Sequence, residues 1–516
     1  MNPDARRTHR PASTADLASS APVAEPHASR RDPPRRGIAY ADATVEDIAI
    51  RTALLFTALA TAVATATPAF GADGTLDPTF GTDAEFPGFG FYLNPYGSTF
   101  NAHLETLRRA PNGQLYLIGS MMDEQNAWRT TIQRLDADGY PDYTFGDTGL
   151  RSYPLPCVGA NASDAQIDAQ GRIWVGFSGC DDFTIYRFTP SGDVDTSLLG
   201  TGVLTIAFDL GDDDADDARQ LAIDAQGGVV AAGFAAATPA RRLAIAHYTA
   251  DGAPVAGFGV DGKVDFDAQN LINAVQGLHL MRDGRIVVTG RYAPNLLEGR
   301  QTVFRLQPNG AVDVGFGNFA PGIAHADLGT ASGDLQKRVL SEGSLLEPDG
   351  SILQVGTGIH YGGAHSDYDI VLVKWRADGQ LDTSIGPLGA RAYSLDFGGA
   401  NPANAIDNFD RAYALARQGD GKIVILGESR APGSLTGVTL VRLTPSLDLD
   451  PSFGDGGKAR YLAQVATDDL DCTYAVNPLV QPGRVIAGVQ ACIGNVTLAQ
   501  ATMGVENDLL FADGLD

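Results

Sequence analysis

The chain has 516 residues, and its 37 Lys and Arg stand against 62 Asp and Glu, for a formal net charge of −25. This negative charge argues against nucleic acid and against an anionic membrane surface as partners. Hydrophobic residues make up 44% of the chain and charged residues 19%, so there is enough apolar surface for a packed core.

The N-terminal part is typical of an exported protein. Residues 1–50 are rich in Arg, Pro, Ala and Ser and are interpreted as a disordered leader or as a start site assigned too far upstream. Residues 51–72 are predicted to be a signal peptide, because Arg51 precedes an uncharged apolar run that ends in small residues around Ala69 to Ala72. A non-cleaved anchor or a plain disordered segment is the alternative. We expect the mature chain to be periplasmic, on the cell surface or extracellular, without inserting into a membrane.

From residue 73 to residue 501 the chain repeats itself. A strand-like run follows a tight turn seven times, and the turn glycines are 56 to 71 residues apart: Gly113, Gly171, Gly227, Gly284, Gly350, Gly421 and Gly483. A second turn of the form A-D-G-x-L-D-x-x-F-G recurs between them, as at Asp378-Gly379-Gln380-Leu381-Asp382. Repeats of this size indicate stacked supersecondary units that cannot bury their own faces alone.

The sixth unit illustrates the predicted strands. They cover residues 390–397, 412–418, 422–427 and 438–443, and the Asp420-Gly421 dipeptide between the second and third is a strong hairpin signal. The third strand is apolar on both faces, which indicates burial between neighbouring sheets. Four antiparallel strands in each of seven units predict an all-β, seven-bladed β-propeller over residues 73–501, followed by a tail at 502–516. An open β-solenoid is the alternative fold.

The second turn predicts how the units join. Its recurrent Phe is expected to pack in the seam between blades, with ordinary turn packing as the alternative. We also expect the first copy of this turn, residues 73–81, to dock against the last blade and close the ring, since its internal copies lie between blades.

The four cysteines predict two disulfides. Cys180 and Cys492 each lie nine residues after a turn glycine, and Cys157 and Cys472 lie 14 and 11 residues before the same glycines. Because such positions face each other across a hairpin, we expect the pairs Cys157–Cys180 and Cys472–Cys492. Both are compatible with an oxidising compartment. A metal site is the weaker interpretation, because no C-x-x-C spacing is present.

Acidic residues concentrate on one face of the predicted propeller, the face with the loops between the first and second strands and between the third and fourth. The densest group is a candidate calcium site, because hard cations prefer carboxylate and carbonyl oxygens: Asp212, Asp213, Asp214, Asp216 and Asp217. No D-x-D-x-D-G loop with a closing Glu is present, so a solvated acidic rim is the alternative.

One long Gly-rich loop in the fifth unit is a candidate ligand site. Two histidines, a tyrosine and an aspartate of this loop are suited to binding a metal or stacking on a sugar ring: His360, Tyr361, His365 and Asp367. The spacing of the histidines is not that of a helical two-His site, and a plain surface loop is the alternative. No grouping of Ser, His and Asp, no P-loop and no dinucleotide motif is found.

The repeat resembles a known family. Residues 420–427 read D-G-K-I-V-I-L-G and residues 449–458 read L-D-P-S-F-G-D-G-G-K, and both resemble the delta-60 repeat of exported bacterial proteins of unassigned function. The resemblance covers residues 73–501. It implies a propeller fold and an extracellular or cell-surface context. It carries no catalytic motif, so it implies neither a catalytic residue nor a cofactor.

The sequence therefore favours an exported, non-catalytic binding or surface scaffold. Loops between the first and second strands and between the third and fourth vary in length and share one face, where we expect a carbohydrate or a protein to bind. A calcium-dependent adhesion or structural module is one alternative. A carbohydrate-active enzyme that uses two carboxylates of the acidic loops is the other.

Overall fold

A computed structural model of the chain describes residues 74–77, 79–81, 89–93, 102–123, 125–146, 148–211, 216–237, 241–267, 271–295, 298–328, 338–362, 365–395, 397, 409–430, 436–461, 464–465, 474–481, 483–493 and 496–506. The predicted leader at 1–50, the predicted signal peptide at 51–72 and residues 507–516 of the predicted tail lie outside this set. Within it, no helix is long and apolar enough to cross a membrane.

The described residues form an all-β propeller. Its first three blades each consist of four consecutive antiparallel strands. Blade 1 comprises β2 (Ala102–Arg109), β3 (Leu115–Met122), β4 (Trp128–Leu135) and β5 (Leu150–Pro154). Blade 2 comprises β6 (Asn161–Ile167), β7 (Ile173–Ser178), β8 (Phe183–Phe188) and β9 (Val203–Ile206). Blade 3 comprises β10 (Asp217–Ile223), β11 (Val229–Ala235), β12 (Arg242–Tyr248) and β13 (Lys263–Asp267).

Three further blades repeat this pattern. Blade 4 comprises β14 (Ala274–Leu280), β15 (Ile286–Asn295), β16 (Glu298–Leu306) and β17 (Ile323–Ala326). Blade 5 comprises β18 (Arg338–Leu346), β19 (Ile352–Gly362), β20 (His365–Trp375) and β21 (Ala390–Tyr393), with a short 3-10 turn at Pro387–Gly389. Blade 6 comprises β22 (Phe409–Arg417), β23 (Ile423–Arg430), β24 (Thr436–Leu443) and β25 (Lys458–Tyr461).

The remaining strands form one more sheet, the closing sheet, which combines both ends of the described chain. β27 (Tyr474–Gln481), β28 (Arg484–Ile493) and β29 (Val496–Glu506) come from the C-terminal end, with the two-residue strand β26 (Gln464–Val465) alongside β28. β1 (Phe89–Leu93) comes from the N-terminal end and pairs with β29 in antiparallel register. The closing sheet therefore has five strands.

The prediction of seven blades is wrong: the structure has six blades of four consecutive strands. The reason is the phase of the repeat. The predicted first strand of a unit is the outer strand of the preceding blade, as where Leu150–Pro154 pairs with Trp128–Leu135. No further unit follows the last one, so no such strand is available as its outer strand. β1 occupies this position instead and pairs with β29.

The core lies between adjacent sheets. Strands β7 and β11 are buried along their whole length, because both of their faces meet a neighbouring sheet. Each apolar cluster joins two neighbours: Val424 of blade 6 packs with Val485 of the closing sheet, and Leu104 of blade 1 packs with Ile486 of that sheet. Burial of these interfaces holds the ring together.

The recurrent Phe does pack between units. Phe145 of blade 1 is fully buried in a cluster with Val175 of blade 2. A Cβ at Gly192, in the second turn of blade 2, would lie 2.6 Å from the Phe145 ring. Because the glycine of one turn has no side chain, the Phe ring of the preceding turn can pack against its backbone.

An Arg–Asp pair supports each of several second turns. Arg134 binds Asp142 at 2.9 Å, and its guanidinium lies 4.6 Å from the centre of the Phe145 ring. The same guanidinium donates a hydrogen bond to the Pro190 carbonyl of blade 2 at 2.9 Å. Arg442 and Asp450 of blade 6 form the equivalent pair at 2.8 Å. The R-L and L-D motifs are thus structural links between neighbours.

The predicted disulfide Cys157–Cys180 is confirmed, with a Cα–Cα distance of 5.8 Å. It ties the segment that enters blade 2 to the loop between β7 and β8, and it indicates an oxidising, exported environment. The second predicted disulfide, Cys472–Cys492, stays a prediction, because Cys472 lies outside the described residues.

Candidate functional site

The innermost strand of every sheet carries a β-bulge at the same place. The register shift occurs where one extra residue enters β2, β6, β10, β14, β18, β22 and β27. We call these seven extra residues the bulge ring: Glu105, Ser163, Arg219, Gln276, Glu342, Tyr413 and Asn477. Bulges re-aim side chains and are frequent next to functional sites.

Six members of the bulge ring line one cavity of about 690 Å³, the central channel, to which all seven innermost strands contribute residues. The exception is Arg219, whose guanidinium binds the carboxylate of Asp217 at 2.7 Å. Thirteen of the 25 lining residues have polar or charged side chains, unlike the apolar seams between sheets.

Glu105 has an unusual environment in this channel. Its side chain is half-buried, and burial raises the pKa of its carboxyl to about 7. Within the described part of the chain, no hydrogen bond or ion pair reaches this carboxyl group. Glu105 is therefore a partly protonated acid at neutral pH.

The cation closest in sequence is already committed to other acceptors. Arg108 binds Asp164 of blade 2 at 2.6 Å, and its Nε donates to the Ala165 carbonyl at 2.6 Å. Asp164 also accepts a hydrogen bond from the Leu221 backbone N–H of blade 3 at 2.8 Å. This network joins three blades at the channel wall, and Asp164 compensates the charge of Arg108.

A second carboxylate lies across the channel on blade 5. Glu342 accepts hydrogen bonds from Gln276 at 3.3 Å and from Arg411 at 3.2 Å. Burial raises the pKa of Glu342, while Arg411 opposes that shift. The Arg411 guanidinium also lies 5.0 Å from the centre of the Tyr413 ring. Unlike Glu105, Glu342 thus has a cationic partner.

Two polar atoms of the channel wall have no partner among the described residues. Ser163 Oγ and Gln276 Oε1 are buried and make no hydrogen bond. By contrast, Ser344 Oγ is 2.7 Å from Nε2 of His279, and burial lowers the pKa of this histidine to about 4, so its ring is neutral. The channel therefore offers the carboxyl group of Glu105 to a molecule inside it, and its wall contains a buried hydroxyl and a buried amide oxygen without partners.

The predicted calcium residues are only partly described, since Asp212, Asp213 and Asp214 lie outside the described residues. Asp216 is buried and accepts backbone hydrogen bonds from Phe208 at 2.9 Å and from Ala236 at 3.0 Å. Asp217 binds Arg219 and also accepts from the Gly179 N–H at 2.9 Å. The described residues contain no group of three His, Cys, Asp or Glu suited to a metal ion. The calcium site stays a prediction.

The predicted ligand loop of the fifth unit is a β-hairpin rather than a loop. β19 and β20 continue through it, with His360 opposite Asp367, Tyr361 opposite Ser366 and Gly362 opposite His365. Because the side chains lie outside the described set, the ligand role of these four residues stays a prediction.

Sequence reasoning missed the bulge ring. Its members share a position but not one residue type, and six of the seven line the channel, where no neighbouring sheet selects an apolar side chain. The available signal is indirect: the apolar alternation of an innermost strand shifts by one residue, as at Leu104-Glu105-Thr106-Leu107.

A family model described as "Domain of unknown function (DUF5122) beta-propeller" matches residues 110–145, 282–316 and 418–453. Each match begins near the first tight turn of a blade and ends at or beside the Phe of the second turn. No curated protein sequence matches the chain.

Solved structures with a similar fold have low identity. A catalytically inactive virginiamycin B lyase from Staphylococcus aureus with quinupristin is 11% identical, with a TM-score of 0.42, over 80% of this chain and 98% of that one. A puromycin hydrolase variant is 14% identical, with a TM-score of 0.42, over 78% of this chain and 53% of that one. Drosophila Plexin A with Semaphorin 1b is 9% identical, with a TM-score of 0.40, over 84% and 87%. The chain is thus an all-β propeller, three segments of which are similar to the DUF5122 β-propeller family.

Proposed function

We propose that the protein is an exported, non-catalytic binding propeller that takes a small hydroxylated molecule of the carbohydrate class into its central channel. The observation that carries the proposal is a cavity of about 690 Å³ whose lining includes Glu105, Ser163 and Gln276, with Glu105 lacking a described partner and with Ser163 Oγ and Gln276 Oε1 buried without one. A buried polar atom without a partner costs about 1–3 kcal/mol, and a bound ligand that supplies the missing hydrogen bond removes this cost.

The chemistry of the wall favours a sugar over an apolar ligand. Ser163 both donates and accepts, Gln276 Oε1 accepts, and the carboxyl group of Glu105 does either according to its protonation. A sugar hydroxyl likewise donates and accepts, so one ligand hydroxyl can satisfy any of these groups. The cavity of about 690 Å³ is large enough for a sugar.

This proposal moves the expected site from the variable loops to the channel. A carbohydrate or protein partner at the loop face remains a second proposal, since much of that face lies outside the described residues. A calcium-dependent module remains a prediction on the same ground.

Thermal unfolding of the exported chain with single sugars tests the proposal. Glucose, galactose, rhamnose and their amino derivatives are added at 10–50 mM, and we expect at least one to raise the midpoint. A ligand at 100 times its Kd stabilises by about 2.7 kcal/mol. Substitution Ser163→Ala is expected to weaken binding about threefold to tenfold, because one hydrogen bond is lost.

The matched control is Ser120→Ala. Ser120 Oγ is also buried without a partner, but this residue lies on β3 and does not line the channel. We expect Ser120→Ala to leave sugar affinity unchanged. The proposal fails if no sugar shifts the midpoint, or if both serine variants lose affinity equally. Release of a smaller product in these mixtures would instead support the carbohydrate-active enzyme.

A further inference from the structure

The charges of the channel wall do not balance. Four charged side chains line the described channel: Glu105, Arg108, Asp164 and Glu342. Arg108 is paired with Asp164 at 2.6 Å. Glu342 is paired with Arg411 at 3.2 Å. Glu105 is thus left without a cation.

Building on the proposed function, we infer that the channel ligand carries an ammonium group that pairs with Glu105, so that the channel selects an amino sugar over the neutral sugar of the same shape. A carboxylate that is partly removed from water and lacks a partner is destabilised, and an opposite charge within about 4–6 Å compensates for this. A cationic ligand would provide Glu105 with the positive charge that no described side chain provides.

The neighbours of Glu105 in the bulge ring suit an ammonium group that is attached to a polyol. Ser163 lies on one side, in blade 2, and Asn477 on the other, in the closing sheet. Both are neutral side chains with oxygen acceptors. Asn477 Oδ1 already accepts from Thr106 Oγ1 at 3.2 Å, which holds the amide beside blade 1. An ammonium group on Glu105 would therefore have oxygen acceptors beside it, and the one Arg of the described channel wall, Arg108, is paired with Asp164.

A metal ion fits this position less well. Calcium takes six to eight oxygen ligands, usually with several carboxylates. Glu105 is the one uncompensated carboxylate among the charged side chains of the described channel wall, and the described residues hold no metal-binding group of three. The net charge of −25 also raises the local concentration of small organic cations around the protein.

Calorimetric titration with matched pairs of sugars tests the inference. Glucosamine is compared with glucose, and galactosamine with galactose, at pH 7.5 on the exported chain. N-acetylglucosamine serves as a neutral ligand with nitrogen at the same position. We expect the better amine to bind at least tenfold more tightly than both neutral sugars. Glu105→Gln should reduce this preference to less than twofold, while Glu105→Asp should retain part of it.

Glu347→Gln is the matched control. Glu347 is paired with Arg417 at 2.7 Å and does not line the channel, so the preference for the amine should survive this change. Equal affinity for amine and neutral sugar, or a preference that persists in Glu105→Gln, overturns the inference and leaves the proposed function intact. Absence of binding by every sugar overturns both. Loss of the preference in Glu347→Gln would also overturn the inference.

Discussion

The ring of Phe453, in the second turn of blade 6, packs against Gly74 near the start of the described chain. A Cβ at Gly74 would lie 3.3 Å from Cε2 of Phe453 and 2.9 Å from the backbone nitrogen of Gly454. Phe145 and Gly192 have the same relationship between blades 1 and 2. The N-terminal segment thus occupies the place that an internal turn has elsewhere, as the sequence predicts for the docking of residues 73–81.

Substitution Gly74→Ala should weaken the closure of the ring. Gly74 has φ +88, which a side chain disfavours by about 1 kcal/mol, and the added methyl group would also lie 2.9 Å from the backbone nitrogen of Gly454 and crowd the Phe453 ring. Gly257→Ala is the control, because Gly257 has φ +83 with nothing within 4 Å of its Cβ. We expect Gly74→Ala to lower the denaturant midpoint clearly more. Equal effects would mean that the added methyl group at Gly74 is accommodated without a loss of folding free energy beyond that from its φ angle.

Substitution Arg484→Gln should also destabilise the closed ring. Arg484 of the closing sheet is 13% exposed and pairs with Asp77 at 2.8 Å and with Asp138 of blade 1 at 2.9 Å. Because two carboxylates lose their partner, we expect a loss of about 2 kcal/mol. Arg376→Gln, at an exposed pair with Asp378, should cost less than about 0.5 kcal/mol. Urea unfolding measures both, and similar losses would contradict a role in closure.

Removal of the confirmed disulfide should lower stability by roughly 3 kcal/mol. The two cysteines are 23 residues apart, and a cross-link of that length restricts the unfolded chain by about this amount. The double variant Cys157→Ser/Cys180→Ser is compared with the parent chain by thermal unfolding, with and without reductant. A further reductant-dependent shift in the double variant would reveal the predicted Cys472–Cys492 disulfide. An unchanged midpoint in the double variant would contradict the prediction.

The stability of the protein should depend on the protonation of Glu105. The folded-state pKa of about 7 is higher than the ordinary Glu pKa of 4.5, so folding favours the protonated acid. This contribution is fully present below pH 4.5 and is lost as pH rises through 7. Glu105→Gln removes the charge at all pH values. We therefore expect this variant to unfold roughly 1–3 °C higher than the parent at pH 8.5 and to show no such gain at pH 4.5.

The comparison of the two proteins at both pH values is the measurement. A gain at pH 4.5 that equals the gain at pH 8.5 would show that the amide acts through packing rather than through charge. If Glu105→Gln gave no gain at pH 8.5, the carboxylate would have a compensating partner in the free protein.

Turns and strands of this fold are readable from the sequence because local chemistry determines them. The tight turns with Gly171, Gly284 and Gly421 all have φ near +80, where glycine is favoured, and the strands beside them begin within one or two residues. Cys157 and Cys180 could be paired because a hairpin register fixes which positions face each other.

The number of blades and the site depend on non-local relationships. Lys458–Tyr461 reads as the first strand of a seventh unit, but it hydrogen-bonds to the strand before it. Phe89–Leu93 pairs with a strand at the C-terminal end of the described chain, and no local sequence pattern predicts this pairing. The central channel is likewise formed by residues about 60 positions apart, none of which shares a motif with the next.

The shared closing sheet has a consequence for the order of synthesis. Thr79 and Arg484 are in contact although 405 residues separate them in sequence, so the ring cannot close until almost the whole chain has left the ribosome. Blades 1 to 6 each contain only nearby strands and can form earlier. If the chain is translocated across a membrane before it folds, its N-terminal strand stays unpaired until the last strand has crossed. The ring can then close as soon as translocation ends. Closure of the ring would then occur only after the whole chain has been translocated.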